Sequence, residues 1–117
     1  MAVRIIFFGS DNLNRVAALK GMGYSVDECR SLAELHASLV GILPADAVAI
    51  AENDGTEQDH AISLIRAISS APLILFRNGN HHHSRAEFDL VVPLDATADK
   101  WLSDFAELIS RFSIRIR

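Results

Sequence analysis

Val3-Arg4-Ile5-Ile6-Phe7-Phe8 passes without interruption into Gly9-Ser10-Asp11-Asn12. Apart from Arg4 the first six residues are β-branched or aromatic with no polar alternation, the pattern of a strand covered on both faces. The four that follow carry turn and helix N-cap chemistry. A buried strand delivered into a helix cap is the first half of a strand-helix-strand unit, and the rest of the chain repeats the alternation.

Leu13, Val16, Ala17 and Leu19 recur at helical spacing until Gly21-Met22-Gly23, where glycine can take the left-handed conformation that ends a helix. Tyr24 to Arg30 predicts a second strand with one solvated side. Ser31 caps a second helix, Glu34 completes its capping box, and Leu32, Leu35, Leu39 and Leu43 form its apolar stripe up to Pro44. Asp46 to Ala51 reads as a central strand of small apolar residues, closed by Glu52-Asn53-Asp54-Gly55. Glu57 to Ser70 predicts a third amphipathic helix. Pro72 opens a fourth strand, Leu73 to Phe76, since proline is tolerated only at a strand's first position. Arg77 to Ser84 is rich in breakers and predicts a loop. Phe88 to Leu94 supplies a fifth strand around Leu90-Val91-Val92. Asp95 to Phe112 predicts a long last helix with Trp101, Leu102, Phe105, Leu108, Ile109 and Phe112 on one face. Strand-helix alternation at this pitch implies parallel strands joined by right-handed crossovers, hence an open five-stranded sheet with helices on both faces. Ligands of such folds sit beyond the carboxyl ends of the strands.

Composition narrows the function classes. With 117 residues, the chain is expected to form one domain, residues 1–117, either by itself or as the N-terminal part of a longer regulator. Eleven Lys and Arg against fifteen Asp and Glu give a net charge of −4, which disfavours binding to nucleic acid through phosphate neutralisation. No apolar run approaches the roughly 20 residues of a membrane span, and the short N-terminal run does not fit a secretory signal. The single Cys29 excludes an internal disulfide and fits a reducing cytoplasm, the expected location.

Several landmarks coincide: Arg4-Ile5-Ile6-Phe7-Phe8 leading into a polar cap, Gly23-Tyr24 before the second strand, Pro44-Ala45-Asp46 before the third, Pro72-Leu73-Ile74 in the fourth, and Pro93 after the fifth. On these the chain resembles the receiver (CheY-like) domains of two-component response regulators, over nearly its whole length. The resemblance implies a flavodoxin-like sheet of order 2-1-3-4-5. It also implies an acidic pair after the first strand for magnesium, a phosphoaccepting aspartate ending the third, a hydroxyl ending the fourth and a lysine ending the fifth. Here the acidic pair falls on Gly9 and Ser10, with Asp11 the nearest carboxylate. The acceptor falls on Ala51, or on Glu52 if the strand is bulged, the hydroxyl on Arg77 and the lysine on Val92. A methyl cannot accept a phosphoryl group, a valine carries no charge, and one carboxylate is a poor magnesium site. Only eleven residues separate Phe76 from Phe88, where the family places a full helix, so the fourth helix is expected to be shortened or missing.

The expectation is therefore a degenerate receiver-like domain: not an enzyme, without cofactor or metal, not phosphorylated on aspartate, and acting through protein contacts, with a homodimer as one candidate and the partner and oligomeric state left open by the sequence. The alternative is a flavodoxin-like or Rossmann-like enzyme or ligand binder using Ser10, Asp11, Glu52 and Arg77. Glu52 and Arg77 form one candidate pair, whose other reading is two separately solvated side chains. His81-His82-His83 invites a metal, but consecutive residues rarely aim at one ion, and a solvated loop is the simpler account. Gly9 alone does not make a dinucleotide fingerprint, and Ser10 lacks a nucleophile-elbow context.

Overall fold

The structure, a computed structural model, describes residues 3–11, 13–52, 56–78 and 88–116. Five parallel strands, β1 (Arg4–Phe8), β2 (Ser25–Cys29), β3 (Ala47–Ala51), β4 (Leu73–Phe76) and β5 (Leu90–Val92), form one sheet in the order β2-β1-β3-β4-β5. Four helices accompany them among the described residues: α1 (Arg15–Gly21), α2 (Leu32–Leu39), α3 (Thr56–Ile68) and α4 (Ala98–Ile116). The parallel α/β sheet and its strand order agree with the sequence. The shortened fourth helix and the histidine run fall at 79–87, outside the described residues.

The alternation of side chains along each strand divides the interior into two cores. Ile5, Phe7, Ile74, Phe76 and Val92 pack with α1 and α4, against Leu19, Trp101, Phe105 and Leu108. Ile6, Phe8, Val48, Ile50 and Leu75 pack with α2 and α3, against Leu35, Ala61 and Ile65. Ala47, Ala49 and Ala51 of the central strand all face the first core. Being small, they let aromatic rings from both neighbouring strands meet over β3: Phe7 and Phe76 lie 5.8 Å apart, and Trp101 meets the Phe76 ring edge-on at 5.1 Å.

Element ends depart from the periodicity where polar groups compete for the backbone. Leu13 lies outside α1 and is exposed, because the helix begins only where the Asp11 carboxylate accepts the Arg15 and Val16 N–H groups at 2.8 and 3.0 Å. The second helix stops at Leu39, so Leu43 does not complete its stripe. The Leu43 carbonyl is held instead by the Arg4 guanidinium. That guanidinium also donates to Asp27 at 2.6 and 3.0 Å and to the Ser38 hydroxyl at 2.9 Å, tying β1 to β2 and α2. The capping box forms with a one-residue offset: Ser31 Oγ accepts from the Glu34 N–H, while Glu34 accepts from the Arg30 amide. Leu94 lies beyond β5 and is exposed, and Cys29 is buried at the end of β2.

Asp27 is partly solvated, so Arg4→Ala is expected to cost only about 1–2 kcal/mol. Urea unfolding checks this, and the loss in Arg4→Ala should be largely absent when Asp27 is already Ala. Burial also pushes the Cys29 thiol up and raises Tyr24. The folded state holds these protons while the unfolded thiol ionises above about pH 8.5, so stability is intact below that pH and falls as pH rises. Denaturant midpoints at neutral and alkaline pH should show a smaller decline in Cys29→Ala than in the wild type.

Candidate functional site

The carboxyl ends of β1, β3 and β4 converge on a small cavity of about 260 Å³, lined by Gly9, Ser10, Arg30, Ala51, Glu52, Glu57 and Asn78. Gly9 turns the chain out of β1 with φ +111°, and a Cβ there would lie 3.1 Å from the Ala51 Cβ and 3.2 Å from its carbonyl oxygen. A side chain at position 9 would therefore need both an unfavourable backbone and a displaced neighbour. Ala51 is the last residue of β3, opposite Phe76. The floor is thus a methyl group against a bare backbone.

Glu52 follows directly, and its amide donates to the Phe76 carbonyl at 2.8 Å, extending the β3–β4 ladder by one rung. Its carboxylate is wholly buried, which replaces the expectation of a solvated acid at the sheet edge. Oε1 accepts the Asn78 N–H at 3.0 Å, and the Glu52 carbonyl accepts from the Asn78 side-chain amide at 3.2 Å. Oε2 lies 3.4 Å from Arg77 Nε, so the structure brings the candidate pair together. The Arg77 amide donates to the Val92 carbonyl at 3.0 Å, placing the buried Val92 at the β5 end of the same rim.

A second cation enters from α1. Arg15 is only 5% exposed, with its guanidinium 4.9 Å over the centre of the Phe76 ring. It donates to the Arg77 carbonyl at 2.9 Å and to Asn78 Oδ1 at 3.1 Å. Burial pulls its pKa below the ordinary value, and the charges of Asp11 and Glu52 act in the opposite sense. A guanidinium stays charged under such opposed influences. Sequence reasoning did not single out Arg15. The signal was its spacing, since it stands four residues before the buried Leu19 and so lies on the inward stripe of the helix.

Asp11, Glu52, Arg15 and Arg77 thus supply two negative and two positive charges at the strand ends, and of these Glu52 lines the cavity, together with Arg30 and Glu57. Asp11, the acid nearest the expected magnesium position, spends both oxygens on the first N–H groups of α1. Ser10 is exposed on the cavity wall. Among the described residues no group of three or more His, Cys, Asp and Glu side chains is placed to hold a metal ion. The cluster can bind its own members and orient the β4 end. The Glu52 carboxylate faces the Asn78 amide with one oxygen and the Arg77 guanidinium with the other.

No protein-family model matches the chain. No curated protein matches it in sequence. Solved structures do match in shape. A response regulator from Thermotoga maritima superposes with a TM-score of 0.76 at 15% identity, over 94% of this chain and 99% of that one. A CheY-like response regulator receiver domain protein from Methanospirillum hungatei gives 0.75 at 12%, over 98% and 99%. A structure described as an adenylate cyclase from Rhodopirellula baltica gives 0.78 at 15%, over 99% and 93%. At these identities the likeness is one of fold, and the fold is that of CheY-like receiver domains.

Proposed function

We propose that this domain is a receiver-like signalling module, cytoplasmic, that is not switched by phosphorylation of an aspartate and acts through contacts with other proteins. The observation that carries this reading is the rim itself. Where an acceptor would need an open carboxylate, the chain has Ala51 and then the enclosed Glu52. Where a lysine would reach in from β5, it has the buried Val92. Positive charge comes instead from Arg15 and Arg77, and it is balanced by Asp11 and Glu52. A receiver changes state when a new dianion recruits groups at the strand ends. Here the internal carboxylate of Glu52 already engages the β4 end, so the crevice is held in one arrangement by its own charges.

The other attributes are consistent with a module that contacts proteins. The net charge of −4 does not suit a nucleic-acid surface, and no described helix is long and apolar enough to cross a membrane. The proposed role needs neither cofactor nor catalytic residue.

Incubation with acetyl phosphate and magnesium should leave the intact mass of the protein unchanged. A stable phosphoryl adduct on any rim carboxylate would overturn the reading. Arg15→Ala should destabilise the fold by about 3 kcal/mol, because it removes one partner of a buried charge cluster. Glu52→Gln should cost about 1–3 kcal/mol, since the amide keeps the shape but loses the charge. Urea unfolding of both variants checks these values, and wild-type stability in Arg15→Ala would contradict a structural role for its contacts with Arg77 and Asn78.

A further inference from the structure

A groove of about 580 Å³ runs between β5 and α4, and its lining among the described residues includes two cations, Arg77 and Lys100, and two carboxylates, Asp89 and Asp104, with Leu90 and Trp101 between them. The directions of the two elements sort these charges to opposite ends. The Arg77 amide donates to the Val92 carbonyl at 3.0 Å, so Arg77 stands where β5 finishes. Asp89 stands where β5 begins: its amide donates to the Leu73 carbonyl and its Oδ2 accepts the Leu73 N–H, both at 2.8 Å. The helix runs back along the strand, since Phe112 near its far end lines a cavity with Pro72, the residue that precedes β4. Lys100, in the first turn of α4, therefore lies toward Arg77, and Asp104 lies one turn nearer Asp89.

The two charged ends are separated by the length of β5, about 10 Å at the usual rise of an extended chain. The wall between them is apolar and fixed: Trp101 is only 5% exposed and meets the Phe76 ring edge-on at 5.1 Å. Lys100 and Asp104 touch each other at 3.1 Å, but the lysine side chain is 72% exposed, and such solvated pairs are worth about 0–1 kcal/mol, little enough to yield to a ligand. Arg77 faces Glu52 through Nε, and a guanidinium carries five donors, so a second carboxylate is within its capacity.

We propose that this groove is a binding site for a small elongated zwitterion, an aromatic body with a carboxylate at one end and an ammonium at the other. The carboxylate meets Arg77 and Lys100, the body lies against Trp101 and Leu90, and the ammonium meets Asp89 and Asp104. The volume falls within the range of about 300–1,000 Å³ typical of small-molecule sites. The arrangement of charge selects the ligand class: a simple anion would satisfy one end and leave the two carboxylates of the other without a partner from the ligand, and a simple cation would do the reverse. The inference goes beyond the proposed function and does not depend on it, because it needs only the groove and not the state of the rim.

Titration of the isotopically labelled chain with para-aminomethylbenzoate tests it, followed through the indole N–H of Trp101, the chain's single tryptophan, and the amides of Leu90, Val91 and Val92. These resonances should shift saturably, with half-saturation at about 1 mM or below. Benzoate and benzylamine, each lacking one charged end, should bind roughly tenfold more weakly. Lys100→Glu should weaken para-aminomethylbenzoate to a similar extent, with an unchanged thermal melt because that side chain is exposed. The absence of saturable shifts at millimolar ligand, equal affinity for the half-ligands, or unaltered affinity in Lys100→Glu would overturn the proposal.

Discussion

The buried guanidinium of Arg15 sets the arrangement of the strand ends. A cation taken out of water is costly unless charges and acceptors surround it. Here the Phe76 ring, the Arg77 carbonyl and the Asn78 side chain supply the near contacts, and Asp11 and Glu52 supply the opposing charge. Each of these groups has a further commitment: Asp11 starts α1, Glu52 binds the Asn78 amide, and Arg77 closes on β5 through its own amide. The cluster is therefore cooperative. Removing Arg15 leaves the buried Glu52 imperfectly paired, and removing Glu52 does the same to the buried Arg15, a larger penalty than the loss of one hydrogen bond.

Packing and chemistry at the rim share one cause. The small residues of β3 make room for Phe7, Phe76 and Trp101 to meet over the central strand, and the last of them, Ala51, stands against Gly9 at the cavity floor. The aromatic stack in turn provides the Phe76 face on which Arg15 rests. A reactive carboxylate at position 51 would have to share this floor with the Gly9 backbone. The same alanine thus serves both the packing over β3 and, in the proposed reading, the lack of an acceptor at that position.

Much of the fold was legible because it rests on local rules. Ile5 to Phe8 and Ala47 to Ala51 read as covered strands from their lack of polar alternation, and Ser31 with Glu34 marked a helix start. Leu13 and Leu43 fit their helical stripes, yet both lie outside the helices, because the Asp11 carboxylate and the Arg4 guanidinium hold the backbone from a distance that periodicity does not register. At the site, the juxtaposition of Glu52 and Arg77 followed from their places at neighbouring strand ends. The full burial of Glu52 did not, because it depends on Asn78 and on the extra rung between β3 and β4. Arg15 was concealed for a related reason: an arginine in a short amphipathic helix reads as surface until the partners that neutralise it are known.

Two sites divide the work in this account: a closed charge cluster at the carboxyl ends of the strands and an open groove, charged at its two ends, between β5 and α4. Its central claim, that of the proposed function, is that the strand ends offer no open carboxylate to accept a phosphoryl group. The most direct measurement is a titration of the isotopically labelled protein with beryllofluoride and magnesium, followed through the backbone amides. The account predicts that Gly9, Ala51, Glu52 and Asn78 keep their resonances throughout. Saturable shifts of those four amides, spreading along β4, would contradict it.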